Sequence, residues 1–125
     1  MKKNQKKNSS ELYAVIGLGR FGMALARELA AKGKSLLVID YDREKINEVL
    51  EFTDNAFVIN SLTIDALEET GIGEADVAVV CIGEKIDISI LATLNLMKLG
   101  VKRVISKAMS EEQGEVLKLL GAEVV

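Results

Sequence analysis

The amino-acid sequence predicts a doubly wound α/β domain, with six parallel strands in the order 3-2-1-4-5-6 and helices on both faces. Three observations carry this expectation. Short apolar runs rich in Val and Ile, bounded by Gly, Asp or Asn, alternate with helix-patterned segments along the chain. The runs are continuously apolar, as strands buried on both faces are. A Gly-x-Gly-x-x-Gly turn follows the first run and opens the first helix pattern.

The strands are expected at 12–16 (LYAVI), 35–40 (SLLVID), 56–59 (AFVI), 76–82 (DVAVVCI), 103–106 (RVIS) and 123–125 (EVV). Helices are expected at 20–32, 43–52, 63–70, 86–99 and 110–120. Gly33, Gly71, Gly100 and Gly121 stand where helices end, and Ser110 with Glu112 and Gln113 reads as a capping box. Proline is absent, so no helix is interrupted. Strict β-α alternation implies right-handed crossovers and a sheet covered on both faces. These elements use nearly all of residues 11–125, which form one domain; residues 1–10 read as a separate lysine-rich tail, flexible and solvated.

Composition narrows the function. No run of about 18 apolar residues suggests a membrane span, and the tail lacks the apolar segment of a secretory signal. Histidine is absent and Cys81 is the single cysteine, which removes the commonest general base, internal disulfides and multi-cysteine zinc sites. A reducing, cytoplasmic setting fits this usage. The net charge is −3, but four lysines lie in residues 1–10, so the remaining 115 residues carry 12 basic and 19 acidic side chains. An acidic body with five aromatics offers poor footing for nucleic acid.

The turn "GLGRFG" is the sharpest local signal. Gly17 permits the tight turn, Gly19 lets a pyrophosphate approach the backbone, and Gly22 lets helix and strand pack closely. Exposed amides at the positive end of the helix would hold the anion. Arg20, inside the turn, either forks onto phosphate oxygens or faces solvent and pairs with Glu84 or another acid. Asp40 ends the second strand, 21 residues after Gly19, where an acid accepts ribose hydroxyls; Asp42 close by would repel a 2′-phosphate. Phe21 and Tyr41, adjoining these groups, belong to the same candidate site. Gly83, ending the fourth strand, occupies the place that Gly17 occupies on the first, so it either faces the ligand at the topological switch or caps a strand. Asn60 and Ser61 either meet an adenine edge or form a plain turn or helix cap.

Catalytic signatures are weak. Tyr41 and Lys45 have the Tyr-x-x-x-Lys spacing of short-chain dehydrogenases, but at the adenosine end of the site, away from any nicotinamide. Cys81 lies within an apolar strand, where a thiolate is disfavoured. The segment 84–100 carries more apolar residues than one helical stripe needs, which points either to a partner or to a deeply seated helix.

Taken together, "VIGLGRFG", "VIDYDREKI", "VINSLTIDALEETGIGEADVAVVCIG", "ILATLNLMKLGVKRVISKA" and "VLKLLGAEVV" resemble the RCK domain, also called KTN or TrkA-N, closest to the cytosolic regulatory subunits of Ktr-type uptake systems. The resemblance covers nearly everything after the tail. It implies a Rossmann-like fold binding NAD(H) or ATP/ADP as a regulatory ligand, homodimers within an octameric ring, and a membrane potassium-translocating partner. It places such a protein in the cytoplasm, peripheral at the inner face of the membrane, with neither direct membrane insertion nor nucleic acid as a partner. By position it assigns Gly17, Gly19, Gly22 and Arg20 to phosphates, Asp40 to ribose, and Asn60 with Ser61 to the adenine. It implies that Ile82, Gly83 and Glu84, with Lys107, Ala108 and Met109, close over the ligand. Many members carry an aspartate where this chain has Asn60. Family regulators usually continue into a smaller C-terminal ligand-binding domain, which implies an N-terminal fragment. The alternative from another class is a small NAD-dependent oxidoreductase or its cofactor domain. A redox-sensing transcription regulator, more distant, lacks an evident DNA-reading element.

Overall fold

Each of the six apolar runs forms a strand in the computed structural model, which describes residues 11–83 and 85–125. The expectations for residues 1–10 and for Glu84 lie outside the described residues. The strands are β1 (Leu12–Ile16), β2 (Ser35–Asp40), β3 (Ala56–Val58), β4 (Val77–Val80), β5 (Arg103–Ser106) and β6 (Glu123–Val124). They pair in parallel as one sheet in the order β3-β2-β1-β4-β5-β6, as expected. Between them run α1 (Arg20–Ala31), α2 (Arg43–Val49), α3 (Ile64–Glu69), α4 (Ile86–Lys98) and α5 (Glu111–Leu119).

Strand periodicity sends alternate side chains to opposite faces, and the core divides accordingly. Val15, Val38 and Val79 meet α1 and α2 through Ala26, Ile46 and Val49. Ala14, Ile16, Ile39 and Val80 meet α3, α4 and α5 through Leu67, Leu96 and Leu117. The order reverses between β1 and β4, so the crevice at their C-terminal ends is the topological switch.

Differences from the expected boundaries have local causes. Strand β4 starts at Val77 because the Asp76 carboxylate accepts the Leu12 N–H at 2.8 Å and Lys102 Nζ at 3.1 Å. Past Val80 the chain leaves the ladder, although the Cys81 N–H still donates to the Ile16 carbonyl at 2.7 Å. Helix α2 ends at Val49, where the N–H groups of Phe52 and Thr53 turn back onto the Val49 carbonyl. A 3-10 turn at Ile72–Glu74, which the periodicity missed, buries Ile72 completely. The four helix-ending glycines all adopt the left-handed region.

Helix α4 resolves the apolar excess in both directions. Its buried residues are Ser89, Ala92, Thr93, Asn95 and Leu96, so much of the inward face is polar. Thr93 Oγ1 donates to the Ser89 carbonyl at 2.9 Å and lies 2.8 Å from Ser106 Oγ, while Asn95 Nδ2 donates to the Leu62 carbonyl at 2.8 Å. Ile86 and Leu91 stay exposed.

Candidate nucleotide site

The turn after β1 is built by contacts that leave no room for side chains at two of its glycines. Gly17 takes φ +101°, and its N–H donates to the Ile39 carbonyl at 2.9 Å, extending the β1–β2 ladder. A Cβ at Gly22 would lie 1.8 Å from the Gly17 carbonyl oxygen. Gly22 therefore lets α1 start directly against the turn. Gly19 differs: its φ of −71° suits any residue, and a Cβ there would meet no atom within 4 Å. Neither strain nor packing accounts for glycine at 19. What a methyl there would fill is the open approach to the start of α1.

That helix start is unusual among the described residues. Asp42, Thr63 and Ser110 cap α2, α3 and α5 by accepting the N–H groups of Glu44, Ala66 and Gln113, and α4, which also lacks a side-chain cap, carries Asp87 in its first turn. Helix α1 has neither a side-chain cap nor an acid in its first turn. Its free amides and positive dipole end suit an anion, and the glycine cradle leaves space for one. Arg20 is exposed at this end; its alternative partner, Glu84, lies outside the described residues.

Asp40 is the hinge between this turn and the neighbouring cleft. It is 8% exposed. Its Oδ2 accepts the Leu18 N–H at 2.6 Å and its Oδ1 accepts the Asp42 N–H at 2.8 Å. The carboxylate thus fixes the shape of the glycine turn, a role the ribose assignment did not foresee. A carboxylate has about four acceptor positions, so two remain for a ligand at the cleft that Asp40 lines.

The cleft, of about 320 Å³, lies over the C-terminal ends of β1, β2 and β3 beside the start of α4. This is within the usual size range of ligand pockets. Gly17, Asp40, Tyr41, Asn60 and Ile82, expected from the sequence, line it together. Ser61 is exposed and outside that lining, and Asp42 is occupied as the α2 cap. Ile16, Ile39, Ile59, Leu62, Lys85 and Ile88 complete the walls and were missed. The strand-end isoleucines were legible as strand, but only the sheet order shows which strand ends adjoin.

On the other side of the turn, Gly83 lies beneath Met109, whose Sδ would stand 3.0 Å from a Cβ at that glycine. Lys107 Nζ donates to Met109 Sδ at 3.3 Å and lies 5.9 Å from the Phe21 ring centre, a cation–π approach. Ala108 sits half-buried between them, its N–H donating to the Val125 carbonyl at 3.0 Å. Phe21, Gly83, Lys107 and Met109 are thus brought together as a second lip, separate from the cleft. Cys81 beneath them is buried, and burial pushes its thiol up to about 12, with Lys107 acting the other way.

Among the described residues no helix is long and apolar enough to cross a membrane, and no cluster of Cys, Asp or Glu is placed to hold a metal ion.

Fold and site together define a Rossmann-type domain, with an open glycine cradle flanked by a cleft and a lip at the topological switch. Comparison with known proteins narrows this further. The chain belongs to the TrkA-N domain family, whose model matches residues 13–125. It is 36% identical over 117 residues to Ktr system potassium uptake protein A of Vibrio alginolyticus, covering 94% of this chain and 53% of that protein. It is 37% identical over 111 residues to Ktr system potassium uptake protein C of Bacillus subtilis (strain 168), covering 89% and 50%. The chain therefore spans about half the length of these curated relatives. The GsuK channel bound to NAD shares the fold at TM-score 0.79 and 16% identity, over 95% of this chain and 22% of that one. GsuK bound to ADP does so at 0.74 and 16%, over 93% and 31%.

Proposed function

We propose that this chain is a nucleotide-sensing regulatory domain of a potassium uptake system, with no catalysis of its own. The observation that carries the reading is the start of α1: uncapped, free of acids, and approached through a glycine at 19 whose missing side chain no protein contact requires. The family and the Ktr relatives support the regulatory setting. Solved GsuK structures with NAD and with ADP support NAD(H) or ATP/ADP as ligand class.

In this reading the adenosine half enters the cleft between Asp40, Tyr41 and Asn60, with ribose hydroxyls on the free acceptor positions of Asp40. The phosphates meet the glycine turn and Arg20. Ile82, Gly83, Glu84 and the Lys107–Met109 lip close over the rest. Asp40 and Asp42 at the ribose end repel a 2′-phosphate, which disfavours NADP. The domain works as a homodimer within an octameric ring, at the inner face of the membrane, through a potassium-translocating subunit. Ligands act by preferring different arrangements of that assembly, since equal affinity for two states shifts nothing.

The oxidoreductase alternative finds little chemistry to use. The chain has no histidine, Tyr41 lines the cleft given to adenosine while Lys45 lies outside that lining, and the Cys81 thiol is held neutral by burial. Steady turnover of NADH with a simple carbonyl substrate would favour that alternative.

The test is a calorimetric panel of NAD, NADH, NADPH, ATP, ADP and AMP on the wild type and on Arg20→Ala. We expect nucleotide binding, and a narrower difference between ATP and ADP in the variant. Unchanged affinities for both would remove Arg20 from the phosphate role. Gel filtration with and without the best ligand checks ligand-dependent assembly.

A further inference from the structure

Gln113 is 2% exposed and makes three hydrogen bonds across three elements. Its backbone N–H donates to Ser110 Oγ at 3.1 Å, the expected half of a capping box. The other half is displaced. In a capping box the side chain returns to the N–H of the cap residue; here Gln113 Oε1 accepts the N–H of Met109 at 2.8 Å, one residue earlier. Its Nε2 donates to Ser89 Oγ at 3.3 Å, in the first turn of α4.

That geometry joins the two sides of the candidate site. Met109 is the residue lying over Gly83. Ser89 is one turn from Lys85, whose carbonyl its N–H binds at 3.0 Å, and Lys85 with Ile88 forms a wall of the cleft. A second buried link runs in parallel, since Thr93 Oγ1 meets Ser106 Oγ immediately before Lys107. Ser89, Thr93 and Ser106 are fully buried, so the contacts work without competition from water.

We propose that Gln113 is a positioning residue for the second half of the nucleotide site. It holds the Lys107–Met109 lip over Gly83 while anchored to the helix that walls the cleft. Resting on the nucleotide reading above, the inference adds that affinity for a dinucleotide depends on a buried amide that contacts no ligand atom. A simple helix cap would affect stability alike with any ligand; a positioning role distinguishes ligands that reach the lip from those that stop at the cleft.

Calorimetric titration of the wild type, Gln113→Met and Ser89→Ala with NADH and with AMP separates these roles. Gln113→Met keeps the side-chain length and removes both side-chain hydrogen bonds. We expect its NADH affinity to fall roughly tenfold, the size of one buried hydrogen bond, while AMP changes less than about twofold. Ser89→Ala removes only the anchor, and should move the NADH-to-AMP ratio in the same direction by a smaller factor. It carries the test if Gln113→Met fails to fold. Equal losses for both ligands, an unmoved ratio, or a wild type that binds NADH no better than AMP would each overturn the positioning role. A wild type that binds neither ligand removes the nucleotide reading itself, and this inference with it.

Discussion

Two glycines three residues apart in one turn should respond to the same substitution in opposite ways. A Cβ at Gly22 would sit 1.8 Å from the Gly17 carbonyl oxygen. Carbon–oxygen contacts rest near about 3.3 Å, so turn and helix must separate by roughly 1.5 Å, and the obstacle is backbone. Overpacking ordinarily costs about 1–3 kcal/mol; with no side chain to move aside, Gly22→Ala belongs at or above the upper end. At Gly19 a methyl meets nothing within 4 Å and the backbone already suits alanine. Alanine is a poorer helix cap than glycine by about 0.5–1 kcal/mol, but it restricts the unfolded chain by about 0.4–1 kcal/mol. These nearly cancel, so Gly19→Ala should keep its stability within about 0.5 kcal/mol in urea denaturation. Its methyl fills the approach to the α1 amides, however. Losing one charge-assisted hydrogen bond, worth about 1.5–3 kcal/mol, weakens nucleotide binding roughly tenfold to hundredfold. Urea melts paired with titrations of NADH, ATP and ADP read both quantities. If Gly19→Ala binds like the wild type, no phosphate approaches there. If it unfolds like Gly22→Ala, glycine 19 is structural after all.

Further outcomes follow from the buried groups. Asp40→Asn should lose about 1–3 kcal/mol in urea denaturation, because its amide NH₂ must face the N–H of either Leu18 or Asp42; a neutral result would show that the carboxylate does not shape the turn. The Cys81 thiol, raised from 9 to about 12 by burial, should label slowly at neutral pH, with roughly a thousandfold less thiolate than in the unfolded chain. The unfolded state releases this proton first, so Cys81 should make stability fall as pH rises from about 9 to about 12. Cys81→Ala should flatten that part of the curve, which pH-dependent denaturation measures.

Much of this was legible locally. Apolar run and helix pattern alternate clearly enough that the six strands and five helices of the described residues and the sheet order were foreseen. The turn declared itself because steric needs at Gly17 and Gly22 leave a sequence signature. Misses came where tertiary contacts override pattern. Asp76 reads as the start of a strand, but its carboxylate serves a neighbouring strand and Lys102. The apolar excess of 84–100 pointed to a partner or a deeply seated helix and gave no sign that Ser89, Thr93 and Asn95 turn inward, where Ser106, Gln113 and the Leu62 carbonyl wait.

By itself the sequence determined the doubly wound fold, the glycine turn and the acid opposite it, because each depends on backbone conformation and short-range spacing. Only the tertiary structure decided which strand ends share the cleft, that Asp40 clamps the turn, and that Met109 lies over Gly83 with Gln113 behind it. The Asp40 clamp joins residues 22 positions apart, and the seat of Met109 depends on one displaced side-chain hydrogen bond. Periodicity records which face a residue presents, not which distant group it will find there.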